Sequence, residues 1–148
     1  MGLTKFVCLL LIILSCNSKI VVGGLEVDNP EKKDLYTKYE IELLTEDSTV
    51  KSIIDGSVRK IYNILGDKYL VIEKDSLDFV FFNFSILDVN LSDKVFKGQK
   101  IGTVNLSEND KKYLLKLQVY LRGKPLHYCN IIQVLKNRKI RNDLIFKS

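Results

Sequence analysis

The sequence predicts an all-β domain, a barrel-like sandwich of many short strands. Beyond Leu35, apolar and polar side chains alternate over nearly every segment, and glycines or Asp/Asn/Ser clusters interrupt the alternation at short intervals. Helical spacing is almost absent. "KYEIELL" from Lys38 alternates, and "TVKSIID" from Thr49 alternates up to the turn at Gly56. "SVRKIYNIL" from Ser57 follows that turn with further β-branched residues. After "GDK" come "YLVIEK" from Tyr69 and "LDFVFFNFSIL" from Leu77, both rich in the branched and aromatic side chains that suit a pleated surface. "QKIGTVNL" from Gln99 and "YLLKLQVYL" from Tyr113 complete the set, the latter breaking at Gly123 and Pro125. "NIIQVLKNRKI" from Asn130 fits either a helix or a closing strand.

The 148 residues, 46% hydrophobic and 28% charged, suffice for one domain with a real core. The net charge of +5 is spread among 18 acidic residues and forms no long basic stripe, so a nucleic-acid partner is not expected. At the N-terminus, Lys5 precedes the apolar run "FVCLLLIILS", too short for a bilayer span of about 20 residues. Residues 1–15 read as a signal peptide. They end in "ILSC", Ile13 to Cys16, which resembles the lipobox of bacterial lipoproteins, and that resemblance implies cleavage before Cys16 and acylation of its thiol. More than one acyl chain on one residue gives stable attachment, because each buried methylene contributes about 0.8 kcal/mol. Of the three cysteines only Cys129 then keeps a thiol, in the apolar setting "LHYCNII", where it reads as a small buried hydrophobe. Residues 16–34, with Gly23, Gly24 and Pro30 and no sustained periodicity, read as the lipidated cysteine and a tether of about 18 residues that reaches roughly 60 Å when extended. The domain is expected over 35–135. A basic tail, 136–148, follows it.

Several motifs in order resemble the M23 peptidase domain, also called the LytM domain, of bacterial cell-wall endopeptidases. "TVKSIIDGSV", Thr49 to Val58, matches a first strand of the type "pVkAaadGvV". "GDKYLVIEK" matches "Gn.lViIdH", and "FFNFS", Phe81 to Ser85, stands where the family has "YaHLs". "VNLSDKVFKGQKIGTV", Val89 to Val104, reproduces "V..GdkVkkGq.IGtv" nearly residue for residue. "LKLQVYLRGKPL" fits "LHFEvrkngkPv" without a gap. The resemblance implies a duplicated-hybrid-motif barrel-sandwich, in which Gly98 and Gly102 permit turns and close approaches that a side chain would block.

Active members of that family hold zinc through a histidine and an aspartate four residues apart and through the histidine of "LHFE", with further histidines assisting. This sequence has one histidine, His127, after the "GKP" turn, where the family has no ligand. Lys116 stands at the "LHFE" histidine, with Gln118 beyond it, and Asn83 stands at the histidine of "HLS". Lys38 and Glu42 have the nearest comparable upstream spacing. An ammonium has no lone pair for a metal at neutral pH and repels it at close range. The chain is therefore expected not to be an enzyme and to need no cofactor. Because the family's catalytic side chains converge on one groove, Lys74, Asn83, Lys116 and Gln118 are candidates for a binding groove, ordinary surface polarity being the alternative.

Degenerate M23 domains act as activators of cell-wall amidases or as peptidoglycan-associated scaffolds. The resemblance thus implies an inactive lipoprotein of the bacterial cell envelope, membrane-attached through Cys16, that regulates or scaffolds cell-wall hydrolases. Its expected partners are a cell-wall amidase or other envelope protein. The alternative is a lipoprotein that binds peptidoglycan fragments or another anionic ligand.

Overall fold

The computed structural model describes residues 19–28, 38–108 and 111–137. The strands are β1 (Val21–Val22), β2 (Leu25–Asp28), β3 (Ile41–Thr45), β4 (Thr49–Lys51), β5 (Gly56–Ile64), β6 (Asp67–Lys74), β7 (Leu77–Leu87), β8 (Lys94–Val95), β9 (Lys100–Val104), β10 (Tyr113–Leu121) and β11 (Lys124–Pro125). One helix, α1 (Tyr128–Leu135), follows them. Every pairing is antiparallel, in the order β1-β2-β3-β10-β7-β6-β5-β8, with β9 branching between β7 and β4. The architecture is the all-β sandwich that the alternation predicts.

The branch exists because β7 changes partners along its eleven residues. Its first half, Leu77 to Phe82, lies between β6 and β10, whereas Phe84 to Leu87 pairs with β9. The switch falls at Asn83, whose φ of 78° bends the strand. Asparagine tolerates this left-handed conformation better than most residues. Its Nδ2 donates to the Leu114 carbonyl oxygen at 2.7 Å, and its own carbonyl accepts from the Asn105 amide at 3.0 Å.

The bend closes one apolar cluster. Phe79, Phe81 and Phe84 of β7 pack with Leu70 and Ile72 of β6, Leu115 and Leu117 of β10, and Val50 and Ile101 of the branch. Close backbone approach is required at Gly102, where an added Cβ would collide with the Ile86 carbonyl oxygen and the Phe84 ring. Gly98, at φ +88°, makes the tight turn before β9. Both glycines therefore serve the two purposes expected of them. Helix α1 settles the ambiguity of "NIIQVL": it places Ile131 and Ile132 in the core, and His127 caps its N-terminus by accepting the Cys129 amide at Nδ1, 3.3 Å away.

One expectation is corrected. Residues 19–28, read as part of a tether, form the β1–β2 hairpin, which adds to the edge of β3 with Val27 opposite Leu43. Val22 and Val27 are buried in the common core. Strands of two and four residues carry too few alternations to show in the sequence, and Gly23 and Gly24, at φ +57° and +84°, supply the turn between them. The signal segment 1–15, Cys16, the rest of the tether and the tail beyond Asn137 lie outside the described residues. Among the described residues no helix is long and apolar enough to cross a membrane.

Candidate functional site

Strand β10 is the axis of the site because from Leu115 to Tyr120 it is apolar on one face only. Leu115, Leu117 and Val119 point into the core, so Lys116, Gln118 and Tyr120 share the opposite, outward face. Register then fixes their neighbours. Lys116 lies opposite Glu42 on β3 and Phe82 on β7, Gln118 opposite Val80, and Tyr120 opposite Asp78. On β6 the same face continues through Val71, opposite Val80, and Glu73, opposite Asp78.

The side chains on this face are engaged with one another. Lys116 Nζ stands 3.8 Å from Glu42 Oε1 and 5.9 Å from the centre of the Phe82 ring, within cation–π range. Phe82 in turn stacks on Tyr69, with centroids 5.1 Å apart and planes 6° from parallel. Gln118 donates through Nε2 to Glu40 Oε2 at 3.2 Å and accepts the Tyr120 hydroxyl at 2.9 Å. Burial, and then the nearby charge of Glu40, raises the Tyr120 phenol above its ordinary range, so it remains a neutral donor. Arg59, at a bulge in β5, reaches over to Asp78 at 2.8 and 3.0 Å.

Of the four groove candidates, the structure brings two together. Lys116 and Gln118 are neighbours on the outward face, and Asn83 stands just past Phe82, its amide committed to the Leu114 carbonyl. Lys74 is elsewhere. It is in phase with the buried Leu70 and Ile72 and pairs with Leu77, so it lies on the opposite face of the sheet, where it lines a cavity of about 200 Å³ with Asp55, Asp75, Lys97 and Leu135. A single groove containing both Lys74 and Lys116 is thus corrected: an even number of positions from core residues on β6 and an odd number on β10 point the two lysines to different sides. Glu40, Tyr120, Tyr69 and Phe82 escaped the sequence reading. Tyr120 was within reach of it, since it alternates with Lys116 and Gln118 on one strand.

His127 takes no part in this face. Its ring lies 4.4 Å from Tyr128 and edge-on to Tyr39, and burial followed by the charge of Lys38 lowers its pKa below the ordinary imidazole range. Nδ1 is the helix cap, so the histidine holds the backbone of Cys129 rather than activating its thiol.

Lys116, Glu42 and Asn83, which the M23 resemblance sets near the metal, do not together make a zinc donor set. Glu42 supplies a carboxylate, but its register partner is an ammonium without a free lone pair, and the Asn83 nitrogen is a donor already in use. Lys38, the other half of the upstream pair, sits 5.0 Å over the Tyr39 ring instead of joining Glu42. No cluster of three or more His, Cys, Asp or Glu side chains suited to a metal occurs among the described residues.

No family model matches the sequence, and no curated protein matches it significantly. Solved structures do resemble it. Lysostaphin, the antimicrobial peptidase of Staphylococcus simulans, superimposes with a TM-score of 0.60 at 13% identity, covering 84% of this chain and 56% of that one. A mutant catalytic domain of the prophage-encoded M23 protein EnpA from Enterococcus faecalis gives 0.51 at 18% identity, over 60% of this chain and 74% of that one. The fold is M23-like. A chain of the SpoIIQ–SpoIIIAH pore-forming complex also matches, with a TM-score of 0.50 at 25% identity over 61% of each chain. The M23-like domain therefore shares its β architecture with peptidases and with a component of a protein assembly. It spans little more than half of lysostaphin.

Proposed function

We propose that this M23-like domain works by binding and not by hydrolysis, as a lipid-anchored regulator or scaffold of cell-wall hydrolases in the bacterial envelope. The observation that carries the reading is the Lys116–Glu42 pair, 3.8 Å apart, at the position where the M23 resemblance would put a metal-ligating histidine. Hydrolysis by a zinc site needs three lone-pair donors and an open position for water, and a cross-strand ammonium–carboxylate pair supplies neither. What remains on the outward face is a recognition surface: a cation, an amide, a neutral phenol and two aromatic rings on rigid strands.

Such a surface regulates a partner only if it binds one of the partner's conformations more tightly than the other. Strand-borne side chains suit this, because their positions are fixed before docking and little ordering entropy is lost. The SpoIIQ–SpoIIIAH complex supports the reading by its example of an M23-like fold in a protein assembly.

Affinity purification of the full chain from intact envelopes tests the proposal. The expected result is co-purification of a cell-wall hydrolase or its regulator, reduced at least about tenfold by Lys116→Glu, since truncating or reversing a charge at a buried interface costs several kcal/mol. Stoichiometric zinc in the purified protein together with lysis of cell walls in a turbidity assay would overturn it.

A further inference from the structure

Besides the Gly23–Gly24 turn of β1–β2, three hairpins of the sheet turn through two consecutive left-handed residues. They are Leu65–Gly66 (φ 52° and 93°), Asp75–Ser76 (51° and 64°) and Arg122–Gly123 (51° and 77°). Turns of this kind favour asparagine, aspartate or glycine, and their tips face water. Two of the three begin with a charged residue. The β5–β6 hairpin begins with leucine, and Leu65 is wholly exposed, at 104%. Neither the turn geometry nor solubility calls for leucine there, and a polar residue would serve both better.

Leu65 is also not alone. Ile61, Tyr62 and Ile64 are exposed as well, and β5 stays exposed from Arg59 to its end. The cause is topological: β8 covers the outer edge of β5 only at Gly56 and Ser57, so the rest of β5 is an open edge, and β6 is paired to β7 only as far as Lys68, so the turn from Ile64 to Asp67 stands beyond the sheet. Its side chains are ordered along β5. Ile64, opposite Asp67, and Leu65 form the tip; Lys68, opposite Asn63, comes next; Tyr62 and Tyr69 face each other one step behind that, and Lys60 lies two positions farther back, with Arg59 nearer the body. Asp67 is the single acid between Arg59 and Tyr69. An apolar tip backed by tyrosines that two lysines flank combines the groups that suit the interface of an anionic bilayer.

We propose that the β5–β6 hairpin is a membrane-contact element, with Ile64 and Leu65 entering the acyl boundary of an anionic bilayer while Tyr62, Tyr69, Lys60 and Lys68 lie among the headgroups. Reach is sufficient, because Ile64 and Leu65 lie beyond the last pairing of β6 with β7, at Lys68–Phe84, and an interfacial apolar face sinks only about 5–10 Å. The cationic flank favours an anionic lipid surface as the occupant. Contact at this point would fix which way the outward face of β10 looks from the membrane, whether or not the domain hydrolyses anything.

The sequence contains no tryptophan, so a single introduced indole reports without background. The full chain carrying Leu65→Trp is added to vesicles of phosphatidylglycerol and phosphatidylcholine containing brominated acyl chains. Phe96→Trp, at another exposed site, serves as the control, and Ile64→Trp as a second tip probe. Expected are a blue-shifted emission and quenching at least about twofold greater at the tip than at the control, as for a side chain below the headgroups. Both effects should weaken in zwitterionic vesicles and with Lys60→Glu and Lys68→Glu combined. Equal quenching at tip and control overturns the proposal. An emission shift with solubilised envelope proteins but not with vesicles also overturns it, in favour of a protein partner.

Discussion

The two faces of β10 differ in what holds them. On the inward face Leu115, Leu117 and Val119 are fully buried against the phenylalanines of β7, and each such side chain contributes about 1.5–3 kcal/mol by leaving water. On the outward face Lys116, Gln118 and Tyr120 are only half-buried, and a partly exposed ion pair such as Lys116–Glu42 contributes about 0–1 kcal/mol. Both faces hang from one set of backbone hydrogen bonds. The fold depends mostly on the inward face, with Leu114 and Val71 as buried residues on the outward one, which leaves the chemistry at Lys116, Gln118 and Tyr120 free to change without unfolding the scaffold. A sheet built this way can keep an M23-like shape while the side chains on its outward face vary.

Breaking the inward face should have the largest effect. Leu117 pairs with Phe81 and Ile41 at the centre of the core, all three fully buried. Leu117→Ala is expected to lower the unfolding free energy by about 2–5 kcal/mol, through lost burial and a cavity the surrounding strands cannot close. Chemical denaturation followed by circular dichroism measures this. A loss below that range would mean that the two faces are less unequal than their burial indicates.

The hinge between the sheet and its branch comes next. Asn83 combines a left-handed backbone with a side-chain hydrogen bond to the carbonyl of Leu114, itself a buried residue. Asn83→Ala should cost about 1–3 kcal/mol, from the strain of alanine at positive φ and an acceptor deprived of its donor. Asn83→Gly should cost less, since glycine relieves the strain and forfeits only the hydrogen bond. Equal losses in the two variants, measured in the same denaturation experiment, would show that the bend itself does not depend on the residue placed there.

These residues also mark how far the sequence could be read. The boundaries of β7 and β10 were legible from composition and alternation, because both strands are long and apolar on at least one face. The β1–β2 hairpin was not, since pairing with β3 and not local pattern creates it. Lys116 and Gln118 were singled out for their places in a motif of the M23 resemblance, and they lie together because alternation along one strand is a local property. Lys74 was misplaced, and Glu40 and Phe82 were missed, because their positions relative to Lys116 depend on register between strands far apart in sequence. Asn83 was singled out for its place in a motif, while its role at a strand switch follows only from the three-dimensional bend.

The smallest expected effect sharpens the comparison most. Glu42 has contacts besides Lys116, so a single Glu42→Gln change would mix several losses. A double-mutant cycle with Lys116→Met and Glu42→Gln isolates the pair, because whatever each change does elsewhere cancels. At 3.8 Å, with both side chains partly in water, the coupling should be about 0.2–1 kcal/mol and should shrink as salt rises past the physiological range. Lys116→Met keeps the aliphatic stem over Phe82 and removes only the charge, so fold stability should hardly change. A weak coupling leaves Lys116 and Glu42 available to a partner, since little is lost when the pair separates to make other contacts. A coupling well above 1 kcal/mol would mean that the pair is a structural clasp between β3 and β10, and the outward face would then be less free to exchange its chemistry than its exposure implies.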